Sequence, residues 1–230
     1  MITVWDIWVR LCHWSLALAV TVSLVSGKTG FAFYSLHKLS GEIVLTLIAF
    51  RIAWGFVGSS TARLLPLLKS PLAAISELRS LATKRTSRRG YGHNAAGGYA
   101  TLALLVLCAI QGITGQFIAD HDGLMEGRFH GLFGEHTTHL IHDIHHMLGG
   151  VLLAFVVIHI AMIMVYLVYA KTNLITPMIT GRTSRLTDSE ANDTTGENGK
   201  SREIPDIKPW WVGLLLAATT ATLYLLVFRF

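Results

Sequence analysis

The sequence predicts an all-α integral membrane fold: a four-helix bundle followed by a fifth spanning helix toward the C-terminus. Three observations carry that reading. Of the 230 residues, 52% are hydrophobic and 14% charged, with mean hydropathy +0.50, whereas a water-soluble domain has about 25% charged residues. The apolar residues gather into five runs, each near the ~20 residues a helix needs to cross the hydrocarbon core. Lysine and arginine crowd into alternate connections, as they do where basic loops stay inside the cell.

The spans are expected at Ile7–Ser26, Leu36–Val57, Gly97–Ile118, His142–Ala170 and Trp211–Val227. The first has no small-residue cleavage site after it and carries Arg10 at its polar edge, so it reads as a retained helix rather than a signal peptide. The connection Gly27–Ser35 has one cation, Lys28. By contrast Gly58–Ala96 holds Arg63, Lys69, Arg79, Lys84, Arg85, Arg88 and Arg89 against the single acid Glu77. The third connection has only Arg128, and Lys171, Arg182 and Arg185 follow the fourth span. This alternation places the N-terminus in the cytoplasm and Phe230 outside. It also accounts for the basic residues without a nucleic acid partner. Residues 1–180 then form the four-helix domain, 181–209 a polar linker rich in Ser, Thr, Asn and Gly, and 210–230 the added helix. That helix is opened by Pro209-Trp210-Trp211 and has no histidine, and no charge before Arg229, so it reads as an anchor or packing helix. Cys12 and Cys108 fall inside spans and read as buried, inert thiols; a disulfide between them is geometrically allowed. Neither belongs to C-x-x-C-H, which rules out covalent haem attachment of the c type.

The chemistry lies in the histidines. The stretch "IHHMLGGVLLAFVVIH" spans Ile144–His159. His145 and His159 are fourteen residues apart, so on a helix they lie about 40° apart around the axis and about 21 Å along it. His146 would point about 140° away from His159. The spacing therefore selects His145. Ionisable side chains in a span face the protein interior and flag function. With the topology above, His13 and His159 lie at one depth near the inner face, and His37 and His145 at one depth near the outer face. Two facing imidazoles can clamp a haem from both sides, in a site built from side chains on facing helices. Gly41, Gly112, Gly115, Gly149 and Gly150 can give the macrocycle room, or can serve helix packing. Arg10 and Arg51 are candidate partners of haem propionates, or simply determinants of topology.

Several ordered motifs then point to a family. "VWDIWVRLCHW" at the start, "FRIAWGFVGS" ending helix two, "GHNAAGG" opening helix three, "TGQF" ending it and "MITGR" after helix four resemble the bacterial cytochrome b561 / nickel-hydrogenase cytochrome b family over about Thr3–Arg182. The resemblance implies two non-covalent haems b in a four-helix bundle, held by histidines of helices one, two and four. These fall on His13, His37, His145 and His159. It also implies electron transfer between the quinone pool of the bacterial inner membrane and a periplasmic redox partner such as a c-type cytochrome. Two departures stand out: His146 follows His145 where the family has Glu after His, and Ala95 replaces the proline of G-H-N-P.

His93 and Asn94, at the inner mouth of helix three, can bind a quinone carbonyl or a propionate, or can cap the helix. In "GEHTTHLIHDIHH" the one-turn spacing of His142 and His146 can bind zinc or copper, or these can be solvated groups beside a haem ligand. Asp120, Asp122, Glu126 and Glu135 make an acidic outer edge suited to a basic electron carrier. Two other functions compete: oxidation of superoxide with quinone as acceptor on the same fold, and transition-metal transport along the histidines.

Overall fold

The computed structural model describes residues 2–82, 95–119, 125–183 and 208–229. Among them are seven α-helices: α1 (Ile7–Ser26), α2 (Tyr34–Val57), α3 (Pro71–Ala82), α4 (Ala95–Thr114), α5 (Glu135–Val168), α6 (Ile175–Thr180) and α7 (Trp210–Phe228). Five of these, α1, α2, α4, α5 and α7, are long and apolar enough to cross a membrane. The expected all-α membrane fold is what forms, apart from one two-residue pairing of β1 (Ile2–Thr3) with β2 (Arg182–Thr183).

Most span limits follow the apolar runs, and the departures have simple causes. Helix α5 begins seven residues before the expected His142, because the polar run Glu135–Ile141 contains no helix breaker and continues the same helix. Its 34 residues make it about 51 Å long, against about 30 Å of hydrocarbon core, so its first turns project beyond the bundle. Helix α4 ends at Thr114 rather than Ile118. The chain there turns back, with Gly127 N–H donating to the Ile118 carbonyl and Phe129 N–H to the Gln116 carbonyl. The basic connection expected as a loop contains α3, whose Glu77 carboxylate accepts from the Ala95 amide at 2.9 Å and so caps α4. A carboxylate at a helix N-terminus satisfies an otherwise orphaned donor.

Helix α2 is the hub, packing against α1, α4 and α7, while α5 packs on α4. Two apolar clusters fill the interior. One, at the N-terminal end, joins Val9, Cys12, Phe50, Trp54 and Ala62; the other, mid-bundle, joins Ala19, Val20, Val44, Ile48, Cys108 and Leu152. Both cysteines are free and buried. The outward side chains are large and apolar, Leu18 being 68% exposed, as a lipid-facing surface requires.

Asp6 organises the N-terminal end. Its Oδ1 accepts from the Val9 amide at 2.8 Å, capping α1, and its Oδ2 accepts from Trp54 Nε1 at 3.1 Å. The same end is tied to the segment after α5, since Val4 N–H donates to the Gly181 carbonyl and Trp14 Nε1 to the Met178 carbonyl. Gly181 ends α6 with φ +78°, the left-handed conformation that favours glycine at this position. Helix α7 docks on α1 and α2. Trp8 Nε1 donates to the Trp210 carbonyl at 2.8 Å, and Gly213 lets the Trp8 indole lie directly against the α7 backbone.

Candidate functional site

At the end opposite the N-terminus, a cavity opens between α1, α2, α4 and α5, with His37 and His145 on its wall. The His37 ring reaches this position because residue 27 is glycine: a Cβ there would lie 2.9 Å from His37 Cε1. His37 Nδ1 sits 2.9 Å from the Ser23 carbonyl oxygen. A carbonyl only accepts, so Nδ1 carries the proton and Nε2 keeps its lone pair. His145 is 8% exposed, and its Nδ1 lies 3.0 Å from the Thr114 hydroxyl. That hydroxyl donates its one proton to the Ile110 carbonyl at 2.8 Å, so it accepts from His145 and again leaves Nε2 free. Ligating histidines are characteristically held in this way, by a hydrogen bond at the other ring nitrogen.

The two rings meet in a T-shaped arrangement, with centroids 6.2 Å apart and planes at 89°. Two imidazoles on one metal at bonds of about 2 Å, plus the half-width of each ring, give a centroid separation of about 6 Å. Nothing lies within 4 Å of where a Cβ at Gly41 would be, whereas a Cβ at Gly115 would come 3.1 Å from His145 Cε1. Gln111 donates from Nε2 to the His145 carbonyl at 2.9 Å. Its Oε1, and that of Gln116, are buried without a hydrogen-bond partner. Buried polar groups left unpaired by protein call for another explanation, such as a bound group. Gly112 serves a different purpose, since Leu45 packs onto it so closely that a Cβ would meet Leu45 Cγ at 2.6 Å.

At the N-terminal end, His13 and His159 lie within electrostatic reach of each other. The His13 ring is edge-on to Trp14 at 5.1 Å, and its Nδ1 is buried with no hydrogen-bond partner. Arg51 is buried near Asp6 and Cys12, with Nη1 likewise unpartnered. Arg10 is partly committed to holding the fold: Nη1 donates to the Ile179 carbonyl at 2.6 Å, while Nε is buried without a partner. His93 and Asn94 lie outside the described residues, as do Asp120 and Asp122.

The two adjacent histidines have different surroundings. His145 points into the cavity, and His146 is exposed and packs on His142 with ring centroids 4.4 Å apart. Among the described residues no group of three or more His, Cys, Asp or Glu side chains could hold a metal ion. The zinc or copper reading of His142 and His146 therefore lacks further ligands there. Sequence reasoning passed over Glu42, Ser23, Gln111, Thr114 and Gln116. A single Glu in the apolar run "SGEIVLTL" was a legible signal. The two hydrogen-bonding partners of the histidines left none, because one acts through its backbone and the other looks like an ordinary helix threonine.

Residues 4–181 match the model of the prokaryotic cytochrome b561 family. The chain belongs to that family. No curated protein and no solved structure gives a significant match. Prokaryotic cytochromes b561 are membrane-bound, haem b-binding electron-transfer proteins, and the imidazoles, glycines and unpartnered polar atoms above fit such a group. Helix α7 lies beyond the matched residues. Thr114→Val should weaken haem retention about tenfold or more, read as haem per protein after extended detergent washing. Retention equal to wild type would show that the hydroxyl does not orient His145.

Proposed function

We propose that His37 and His145 are the axial ligands of one haem b and His13 and His159 those of a second. The protein then carries electrons between the quinone pool and a periplasmic redox protein, best matched by a c-type cytochrome. The observation that supports this most is the His37–His145 pair, at 6.2 Å with each Nδ1 already committed. When bound, haem supplies a reversible one-electron couple. The chain supplies the rest. The Ser23 carbonyl and Thr114 hydroxyl hold the protons at the two Nδ1 atoms, and the apolar spans keep water from the rings. Arg51 and Arg10, each with a buried unpartnered nitrogen, are the candidates to meet propionates near the N-terminal end.

Helix α5 carries both His145 and His159, about 21 Å apart by helical rise, so one rigid element spaces the two sites. Macrocycles extend well beyond their irons, and their edges are closer than that. The basic connections favour a cytoplasmic N-terminal end in the bacterial inner membrane, which would put the projecting start of α5 and Glu126 on the periplasmic side. There Glu135 is largely exposed and Glu126 pairs with His130 at 3.1 Å. His93 and Asn94 remain candidates for a quinone carbonyl or a propionate at the opposite face. No observation among the described residues favours superoxide oxidation or metal transport over this reading.

Two measurements test it. His145→Ala should remove one of two haems while His146→Ala retains both, counted from the reduced-minus-oxidised spectrum; the reverse pattern would overturn the assignment. Protein reconstituted in vesicles should couple quinol oxidation to reduction of a basic cytochrome c, at a rate that falls with rising salt. A preparation with both haems and no electron exchange with any quinone would contradict the proposed function.

A further inference from the structure

The first turns of α2 bring two polar side chains to the cavity. Tyr34, His37, Lys38 and Gly41 line it, at the i, i+3, i+4, i+7 spacing that a helix gathers into one stripe. Lys38 is the only lysine or arginine among the lining residues. Further along the wall the side chains are apolar, with Val44 of α2, Cys108 of α4 and Leu152 of α5. From Tyr34 to Val44 the helix rises about 15 Å, so the cavity is charged at one end and greasy at the other.

Topology gives no reason for a cation here. Lys38 stands at the end of the bundle whose connections are poor in charge, with Lys28 and Arg128 as their cations. The basic residues that orient a membrane protein gather at the opposite end. Among the described residues Lys38 has no carboxylate partner; its hydrogen bond is from Nζ to the Glu126 carbonyl at 2.9 Å. An ammonium has three donors, and two remain. Helical side chains tilt toward the N-terminus, which carries the Lys38 arm back toward the level of Tyr34. The Tyr34 hydroxyl makes no hydrogen bond among the described residues.

The other polar groups of the wall have different duties. Gln111 Nε2 donates to the His145 carbonyl and Gln116 Nε2 to the Gly112 carbonyl at 3.4 Å. Each glutamine keeps a buried, unpartnered oxygen, which suits a donor and repels an anion. Ser23 is engaged with the His37 ring through both its hydroxyl and its carbonyl. Haem b is a flat apolar ring with two carboxylates on one edge. A carboxylate drawn into an apolar cavity is costly unless a cation or donors meet it, and the end of the wall that offers them is that of Lys38 and Tyr34.

We propose that Lys38 and Tyr34 bind a carboxylate of the haem at the His37–His145 site, while Lys38 keeps its bond to the Glu126 carbonyl. The inference rests on the ligand assignment at His37 and His145. It selects the ring edge that meets the Glu126–Phe129 segment, whose Gly127 and Phe129 amides bond back to Ile118 and Gln116. Lys38 then joins the cofactor to that connection through one side chain.

The test is resonance Raman spectroscopy of the full-length, haem-loaded protein, reading the bending band of the haem carboxylate side chains, which follows their hydrogen bonding. A redox titration and a haem count after extended detergent washing accompany each sample. Lys38→Met, close in length but uncharged, should shift the band and weaken retention of one haem about tenfold. It should also lower the potential of that haem, because a cation beside the ring favours the reduced state. Lys38→Arg should keep all three near wild type. Unchanged band, retention and potential in Lys38→Met, with both haems present, would overturn the proposal while leaving the ligand assignment intact. Equal losses in Lys38→Arg and Lys38→Met would trace the effect to packing rather than charge and also overturn it. A wild type that lacks the His37–His145 haem would overturn both readings. Should Lys38→Met fail to assemble, Tyr34→Phe removes only the hydroxyl: it should shift the band, and an unshifted band would overturn the proposal.

Discussion

The constraint on which the site depends is the fixing of two ring protons. Between greasy helices an imidazole has few partners, and its orientation is decided by the hydrogen bond it makes. The Ser23 carbonyl takes the His37 proton and the Thr114 hydroxyl takes that of His145, which leaves both Nε2 atoms without a proton. Each acceptor belongs to a different helix from its histidine. The site therefore exists only when α1 meets α2 and α4 meets α5, and assembly of the bundle and creation of the site are one event. The glycines at 27 and 115 belong to the same constraint, since a side chain at either would crowd a histidine ring.

Polar groups in a bilayer are costly unless satisfied, and this molecule places each for a reason that can be read. Asp6 caps α1 and receives the Trp54 indole proton, Glu77 caps α4, and Glu42 is met by Tyr224 and Arg229. Among the described residues, the buried side-chain atoms left without a hydrogen-bond partner are a histidine nitrogen, two arginine nitrogens and two glutamine oxygens. Those of Gln111 and Gln116 belong to residues lining the cavity between His37 and His145, and those of His13, Arg10 and Arg51 lie around the N-terminal end where His13 and His159 approach each other. This distribution is what the proposed pair of sites, spaced by α5, would require.

Much of this was legible in the sequence. Hydropathy located the five spans because lipid selects on composition alone, and the 3.6-residue period chose His145 over His146 with no knowledge of its neighbours. What escaped were features set by tertiary contact. The early start of α5 lies in polar residues that no hydropathy reading includes, and α3 hides in a connection where charge outweighs its apolar residues. Ser23 works through its backbone, which carries no residue signature. Glu42 was visible as an acid in an apolar run, but its meaning depends on Tyr224 and Arg229, about 180 residues further along. Arg10 shows the opposite case: its charge suggested a cofactor partner, and part of its guanidinium turns out to hold the Ile179 carbonyl.

The central claim, that paired imidazoles fill both axial positions of each haem, is tested most directly by electron paramagnetic resonance of the oxidised, purified protein. The account predicts two low-spin ferric centres. The one at His37 and His145 should have the strongly anisotropic signal of near-perpendicular ring planes, which lie at 89° here. A high-spin ferric signal, or a single low-spin centre at full haem loading, would contradict it.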